Sequence, residues 1–140
     1  MVANKSFEDL KQLLSYLAGE EFCYVTTTGR ITGRPHRIEI WFGLNETTLY
    51  LMSGGRERSD WVKNMRRYPQ VSVQIGKHTL AGLARLVRDP DEDPLARRLL
   101  ATKYQEWEEG KEGQEMSEWA RTALPVAIDL KGYDDEHASP

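Results

Sequence analysis

A chain of 140 residues, 39% hydrophobic and 29% charged with a net charge of −3, is long enough to bury a core as one soluble domain. No stretch is apolar for long enough to span a bilayer as a helix, and the acidic balance argues against a nucleic-acid binder, which carries a domain-wide basic excess. The single cysteine, Cys23, rules out an internal disulfide and fits a reducing, cytoplasmic setting.

The start, Met1-Val2-Ala3-Asn4-Lys5, leads directly into an amphipathic pattern and predicts no signal peptide. Ser6 reads as an N-cap, and Phe7, Leu10, Leu14 and Leu17 recur at helical spacing until Gly19. Phe22 to Thr28, β-branched and aromatic, reads as a strand. From His36 to Leu44 the residues alternate, with His36, Ile38, Ile40, Phe42 and Leu44 on one face and Arg37, Glu39 and Trp41 on the other. That alternation predicts one continuous strand. Asn45-Glu46 turns into a strand over 47–53, completing a meander of three. Ser59 caps a second helix from Asp60 to about Tyr68, which Pro69 ends. Val71, Val73 and Ile75 alternate, and Gly76-Lys77 turns into a strand from Thr79 to Val87. Asp93 followed by Pro94 opens a helix over roughly Leu95 to Glu108. The acidic, glycine-interrupted stretch from Glu106 to Glu118 predicts a loop, Leu124 to Leu130 a final strand, and 132–140 a frayed tail. Six short antiparallel strands with flanking helices predict one mainly β (α+β) domain over 1–131, a small closed or partly closed barrel. The G-x-G-x-x-G of a dinucleotide fold does not occur.

Two segments favour the same ligand. Thr26-Thr27-Thr28-Gly29-Arg30-Ile31-Thr32-Gly33-Arg34-Pro35-His36-Arg37 offers flexible backbone and guanidinium groups that grip phosphate or carboxylate bidentately. Ser53-Gly54-Gly55 leads to a helix start at Ser59-Asp60-Trp61, where free N–H groups stabilise anions. Together they predict a site for a small anionic molecule. Asp60 reads as a first-turn acid suited to the helix dipole. Trp61 reads as core or as a surface on which a flat heterocycle stacks, and Trp41, sharing a face with Arg37 and Glu39, as part of a subunit interface. Tyr104, Trp107 and Trp119 flank the acidic run, as core or as a lid. Cys23 reads as a small buried hydrophobe, and His36, His78 and His137 fit no metal spacing. Without an evident nucleophile or acid–base pair, an enzyme here would rely on a bound cofactor.

Thr-Thr-Thr-Gly-Arg-x-Thr-Gly-x-Pro, then Ser-Gly-Gly, then Asp-Trp-Val-x-Asn and a Tyr-Pro ahead of Val-x-Val-x-Ile, resembles the deazaflavin-dependent nitroreductase family, whose members are flavin/deazaflavin oxidoreductases with an FMN-binding split-barrel fold. The match covers about Cys23 to Gly76 and resumes at Arg121 to Leu130. The resemblance implies a six-stranded split barrel, usually a homodimer, that binds coenzyme F-420 (8-hydroxy-5-deazaflavin), with FMN as the alternative. It also implies hydride transfer to a quinone, nitro compound or activated alkene. A non-catalytic carrier of a fatty acid or cofactor is the alternative from another class. By position, Arg30, Thr32, Gly33, Pro35 and His36, flanked by Arg34 and Arg37, would hold the coenzyme phosphate and oligoglutamate tail. Ser53, Gly54, Gly55, Trp61 and Asn64 would approach the phosphate and deazaflavin. Ile31 stands where many members have lysine, and His36 where arginine is frequent. Tyr104 is the one candidate for the family's tyrosines ahead of the last strand, and so for a catalytic role.

Overall fold

The computed structural model describes residues 2–133, with side chains from Phe7 to Gly132; the expected tail beyond Tyr133 lies outside the described residues. Helix α1 (Val2–Leu17) precedes strands β1 (Cys23–Thr28), β2 (Pro35–Ile40), β3 (Gly43–Asn45) and β4 (Thr48–Ser53). A 3-10 turn (Arg56–Arg58) then leads into α2 (Asp60–Arg67), β5 (Gln70–Ile75), β6 (His78–Leu86), α3 (Glu92–Gln105), α4 (Glu118–Thr122) and β7 (Leu124–Tyr133). All strand pairs are antiparallel and form one curled sheet in the order β2-β1-β5-β6-β7-β4-β3. The mainly β split-barrel class expected from the sequence holds.

Helices cover the inside of the sheet and, at β4 and β7, its outer side as well. Inside the curl, Leu10, Leu14 and Leu17 of α1 and Val62 and Met65 of α2 close over Val25, Val73, Leu49, Leu51, Val126 and Ile128. On the outer side of β4 and β7, α3 and α4 bury Tyr50, Met52 and Ala127 under Ala96, Leu100 and Ala120. Strand β4 is therefore buried on both faces, which explains its nearly unbroken apolar run, Leu49 to Met52. Among the described residues no helix is long and apolar enough to cross a membrane.

The strand count is seven, not six, because the segment expected as one strand from His36 to Leu44 breaks at Trp41-Phe42. Its first half pairs with β1 (Val25 opposite Ile38) and its second with β4 (Leu44 opposite Leu49), so the same stretch forms both ends of the sheet. The predicted meander of three strands is accordingly not formed. A distant phenol holds the break: the Phe42 N–H donates to Tyr104 Oη at 3.0 Å, and that hydroxyl lies 2.8 Å from the Glu21 carbonyl and 3.0 Å from the Phe42 carbonyl.

Smaller corrections concern where elements begin and end. Helix α1 extends back to Val2, so Ser6 lies inside it rather than capping it. Ser59 precedes α2 but makes no side-chain cap bond; its hydroxyl pairs with that of Ser53 at 2.7 Å. Helix α3 begins at Glu92, one residue before the expected cap Asp93, because the Asp89 carboxylate accepts from the Asp91 and Glu92 N–H groups at 2.7 and 3.3 Å. The predicted acidic loop contains the start of α4, with Ser117 accepting from the Ala120 N–H. Gly132 and Tyr133, expected as tail, extend β7 and pair with Ala81 and Leu80.

Candidate functional site

The turn between β1 and β2 is closed by its own backbone. The Gly29 N–H donates to the Arg34 carbonyl at 2.7 Å and the Gly33 N–H to the Gly29 carbonyl at 2.9 Å. Gly33 takes φ +77, a conformation that strains any side chain-bearing residue. At Gly29 the constraint is a neighbour: a Cβ there would lie 2.6 Å from Nε2 of the exposed His36 ring, which would have to move aside. The turn therefore folds back until His36 sits above its entry.

Helix α2 fixes this turn from the side. Asn64, only 3% exposed, accepts on Oδ1 both the Arg30 backbone N–H at 3.1 Å and Arg30 Nη1 at 2.9 Å. Its amide nitrogen donates to Thr27 Oγ1 at 3.3 Å. One helical turn earlier, the Asp60 carboxylate accepts Arg30 Nη2 at 3.2 Å. Gly29, Arg30, Ile31, Thr32, His36, Asp60 and Asn64 enclose a pocket of about 260 Å³. The half-buried bond to Asn64 and the exposed one to Asp60 hold the Arg30 guanidinium in place before any ligand arrives, which lowers the ordering cost of binding.

The second anion-friendly segment lies on the other side of the α2 start. Ser53, buried at the end of β4, donates to the Arg56 carbonyl at 2.9 Å and pairs with Ser59. These bonds fold Gly54 and Gly55 outward as an exposed loop. Arg56 adopts φ +55 and donates from Nη1 to the Thr122 carbonyl, joining the loop to the end of α4. Gly54 faces the Trp119 indole, whose Cδ1 would be 3.8 Å from an added Cβ.

Trp119 opens onto an aromatic cleft of about 510 Å³, lined also by Phe22, Glu39, Ile40, Trp41, Met52 and Gln105. Trp41 stacks on Tyr104 (ring centroids 4.3 Å, planes 4° apart) and meets Trp119 edge-on at 5.5 Å. Burial pushes the Tyr104 phenol up to about 12, so it is a neutral donor at physiological pH. The neighbouring Lys103 donates to the Phe42 carbonyl at 3.1 Å, and burial pushes its amine down to about 8. Cys23 is fully buried, and burial pushes its thiol up to about 12, which makes it a poor nucleophile.

The structure thus gathers four of the predicted side chains, Arg30, Thr32, His36 and Asn64, around one pocket. Arg34 and Pro35 are exposed beside it, and Arg34 has no side-chain partner among the described residues. Arg37 points away: on the opposite face of β2 it lies over the Tyr24 ring at 4.1 Å and donates to Gln74 at 2.9 Å. Trp61 is half-buried against the main core and does not line the pocket. The Tyr104 hydroxyl is engaged on backbone, and its ring supports Trp41. Sequence reasoning took Asp60 as a helix-start acid and missed its place in the pocket, although the i, i+4 spacing of Asp60 and Asn64 puts both on one helix face. It also missed Met52 in the cleft wall.

The family model described as F420H(2)-dependent quinone reductase matches residues 8–130. Among curated protein sequences none matches the chain. Solved structures with a similar fold include a conserved hypothetical protein from Mycobacterium tuberculosis, at TM-score 0.65 and 17% identity over 92% of this chain and 86% of that one. An F420-H2 dependent reductase is similar at TM-score 0.58 and 20% identity, covering 79% and 94% of the two chains. An F420 reductase is similar at TM-score 0.59 and 14% identity, covering 86% and 94%. At these identities the likeness is one of fold.

Proposed function

The chain belongs to the F420H(2)-dependent quinone reductase family, and on that footing we propose that it passes hydride equivalents from coenzyme F-420 to a small quinone, with nitro compounds and activated alkenes as possible further acceptors. The family makes it an oxidoreductase dependent on the deazaflavin coenzyme. The observation that carries the reading further is the pocket under the arginine turn, where Arg30 is pre-oriented by buried Asn64 beside Thr32 and His36.

The residues present fit the coenzyme's two chemical halves. Arg30 and His36, with the unpaired Arg34 outside, suit a phosphate and a carboxylate-bearing tail. The exposed Gly54-Gly55 backbone leads from the α2 start to the cleft of Trp41, Trp119 and Met52, whose flat apolar walls suit a planar ring and a planar acceptor. When bound, the reduced deazaflavin supplies a hydride. The protein's part is to orient the ring by its tail, to exclude water from the cleft and to hold Trp41 rigidly through Tyr104. No side chain here is asked to act as nucleophile or general base. A homodimer with Trp41 at the subunit interface belongs to the same reading, and sedimentation at equilibrium checks it, with a monomer mass counting against it.

The test is a titration of protein fluorescence with oxidised deazaflavin coenzyme and, separately, with FMN. It is followed by oxidation of the reduced coenzyme in the presence of a water-soluble benzoquinone or a nitroaromatic. Quenching by the deazaflavin and faster turnover with the quinone are expected. Tight FMN binding without a deazaflavin response, or no quinone-dependent oxidation, would overturn the proposal.

A further inference from the structure

Arg30 is the best-held cation of the pocket, and it is already paired. Its two partners on α2 do different work. Asn64 is neutral and buried, takes two N–H groups of Arg30 on one oxygen, and is itself tied to Thr27. Of the two partners, Asn64 is therefore the one that ties the turn to α2. Asp60 makes a single contact, from Oδ1 to Nη2 at 3.2 Å, and its side chain is 84% exposed. Its other carboxylate oxygen has no partner among the described residues. An ion pair so exposed contributes little to the fold. It nevertheless puts a negative charge against Nη2 of Arg30, in the pocket where an anionic ligand would dock.

We infer that Asp60 is a built-in counter-anion of the arginine pocket, setting its affinity for anions and favouring a ligand with several charges over a single phosphate. The inference rests on the reading that the coenzyme's anionic part binds here. An incoming phosphate or carboxylate must push the Asp60 carboxylate off Arg30 or settle beside it. A lone phosphate gains Arg30 but meets a like charge. A polyanionic tail meets the same charge once, while its further carboxylates extend to the unpaired Arg34. The penalty is thus shared over more contacts as the ligand's charge grows.

The magnitude follows from Coulomb's law. Two unit charges about 5 Å apart, at an effective dielectric between roughly 40 and 80, alter an affinity by about 4- to 15-fold. Salt screens an exposed interaction of this kind, so the effect shrinks as ionic strength approaches about 1 M.

The experiment is isothermal titration of wild type, Asp60→Asn and Asp60→Glu with inorganic phosphate, a tetraglutamate peptide and the whole coenzyme, at low and high salt. Asp60→Asn is expected to bind inorganic phosphate about 4- to 15-fold tighter at low salt, with the gain fading at high salt. Its gain for tetraglutamate should be the smaller of the two, and Asp60→Glu should return to wild-type values. Equal or weaker anion binding by Asp60→Asn, with wild type still binding the coenzyme, would overturn the counter-anion role and leave the pocket reading standing. If wild type and variants alike bind neither the coenzyme nor the other anions, the pocket reading falls and this inference falls with it.

Discussion

Replacing Tyr104 by phenylalanine removes one oxygen from the point where the sheet's two ends separate. The ring stays, so the stack on Trp41 is preserved. The Phe42 N–H loses Tyr104 Oη at 3.0 Å, its one acceptor among the described residues, at a residue that is fully buried. An unsatisfied buried N–H costs about 1–3 kcal/mol. The Phe42 carbonyl keeps Lys103 Nζ at 3.1 Å, and Glu21 is exposed enough for water to replace its lost donor. The sum is a loss of about 2 kcal/mol, which in a domain of this size lowers the melting temperature by roughly 4–10 °C. Urea unfolding followed by tryptophan fluorescence measures it, alongside kcat for quinone reduction well below the melting temperature. Stability should fall while kcat stays within about threefold of wild type. A hundredfold loss of kcat with unchanged stability would refute the reasoning and put the phenol in the chemistry.

Further outcomes follow from other parts of the structure. Arg85 pairs with Glu92 and Asp129 at 2.8 Å each and holds both carboxyls below their ordinary values of 4.5 and 3.8. Their stabilising effect is complete above those values and is lost as pH falls below them, so Arg85→Met should flatten the decline in unfolding free energy below about pH 4.5; an unchanged acid profile would count against the network. The Cys23 thiol, raised from 9.0 to about 12, favours the fold fully below pH 9 and progressively less from there to pH 12. Cys23→Ala should remove that part of the alkaline decline, and a thiol reagent should label native protein only at the rate of unfolding. Gly33→Ala forces an alanine into φ +77 and should cost about 1 kcal/mol, with weaker coenzyme binding as the turn loosens; a neutral result in both assays would show that the turn tolerates another shape.

Much of this architecture could be read from residue order. Alternation identified the inward residues of β5, and Gly76-Lys77 marked the hairpin between β5 and β6. The break at Trp41-Phe42 left no local mark, because apolar alternation runs through it unbroken and its cause, Tyr104, lies 62 residues away. The candidate site was legible as composition but not as geometry. Alternation along β2 already set His36 and Arg37 on opposite faces, so the two cannot serve one pocket, and Arg37 indeed lies against Tyr24 and Gln74. That Arg30 would be claimed by α2 depends on how helix and turn pack, which periodicity does not encode. The Ser59 hydroxyl had two possible partners, the helix and Ser53, and tertiary packing chose the second.

The central claim is that Arg30, fixed by Asn64, grips the anionic part of the coenzyme. Its most direct measurement is a ligand-truncation cycle: dissociation constants of the full coenzyme and of its tail-free, phosphate-free deazaflavin, each for wild type and for Arg30→Ala. Wild type should prefer the full coenzyme by at least about tenfold, about 1.4 kcal/mol, and Arg30→Ala should lose most of that preference while binding the truncated ring as wild type does. An undiminished preference in Arg30→Ala, or a loss that falls equally on the ring alone, would contradict the account.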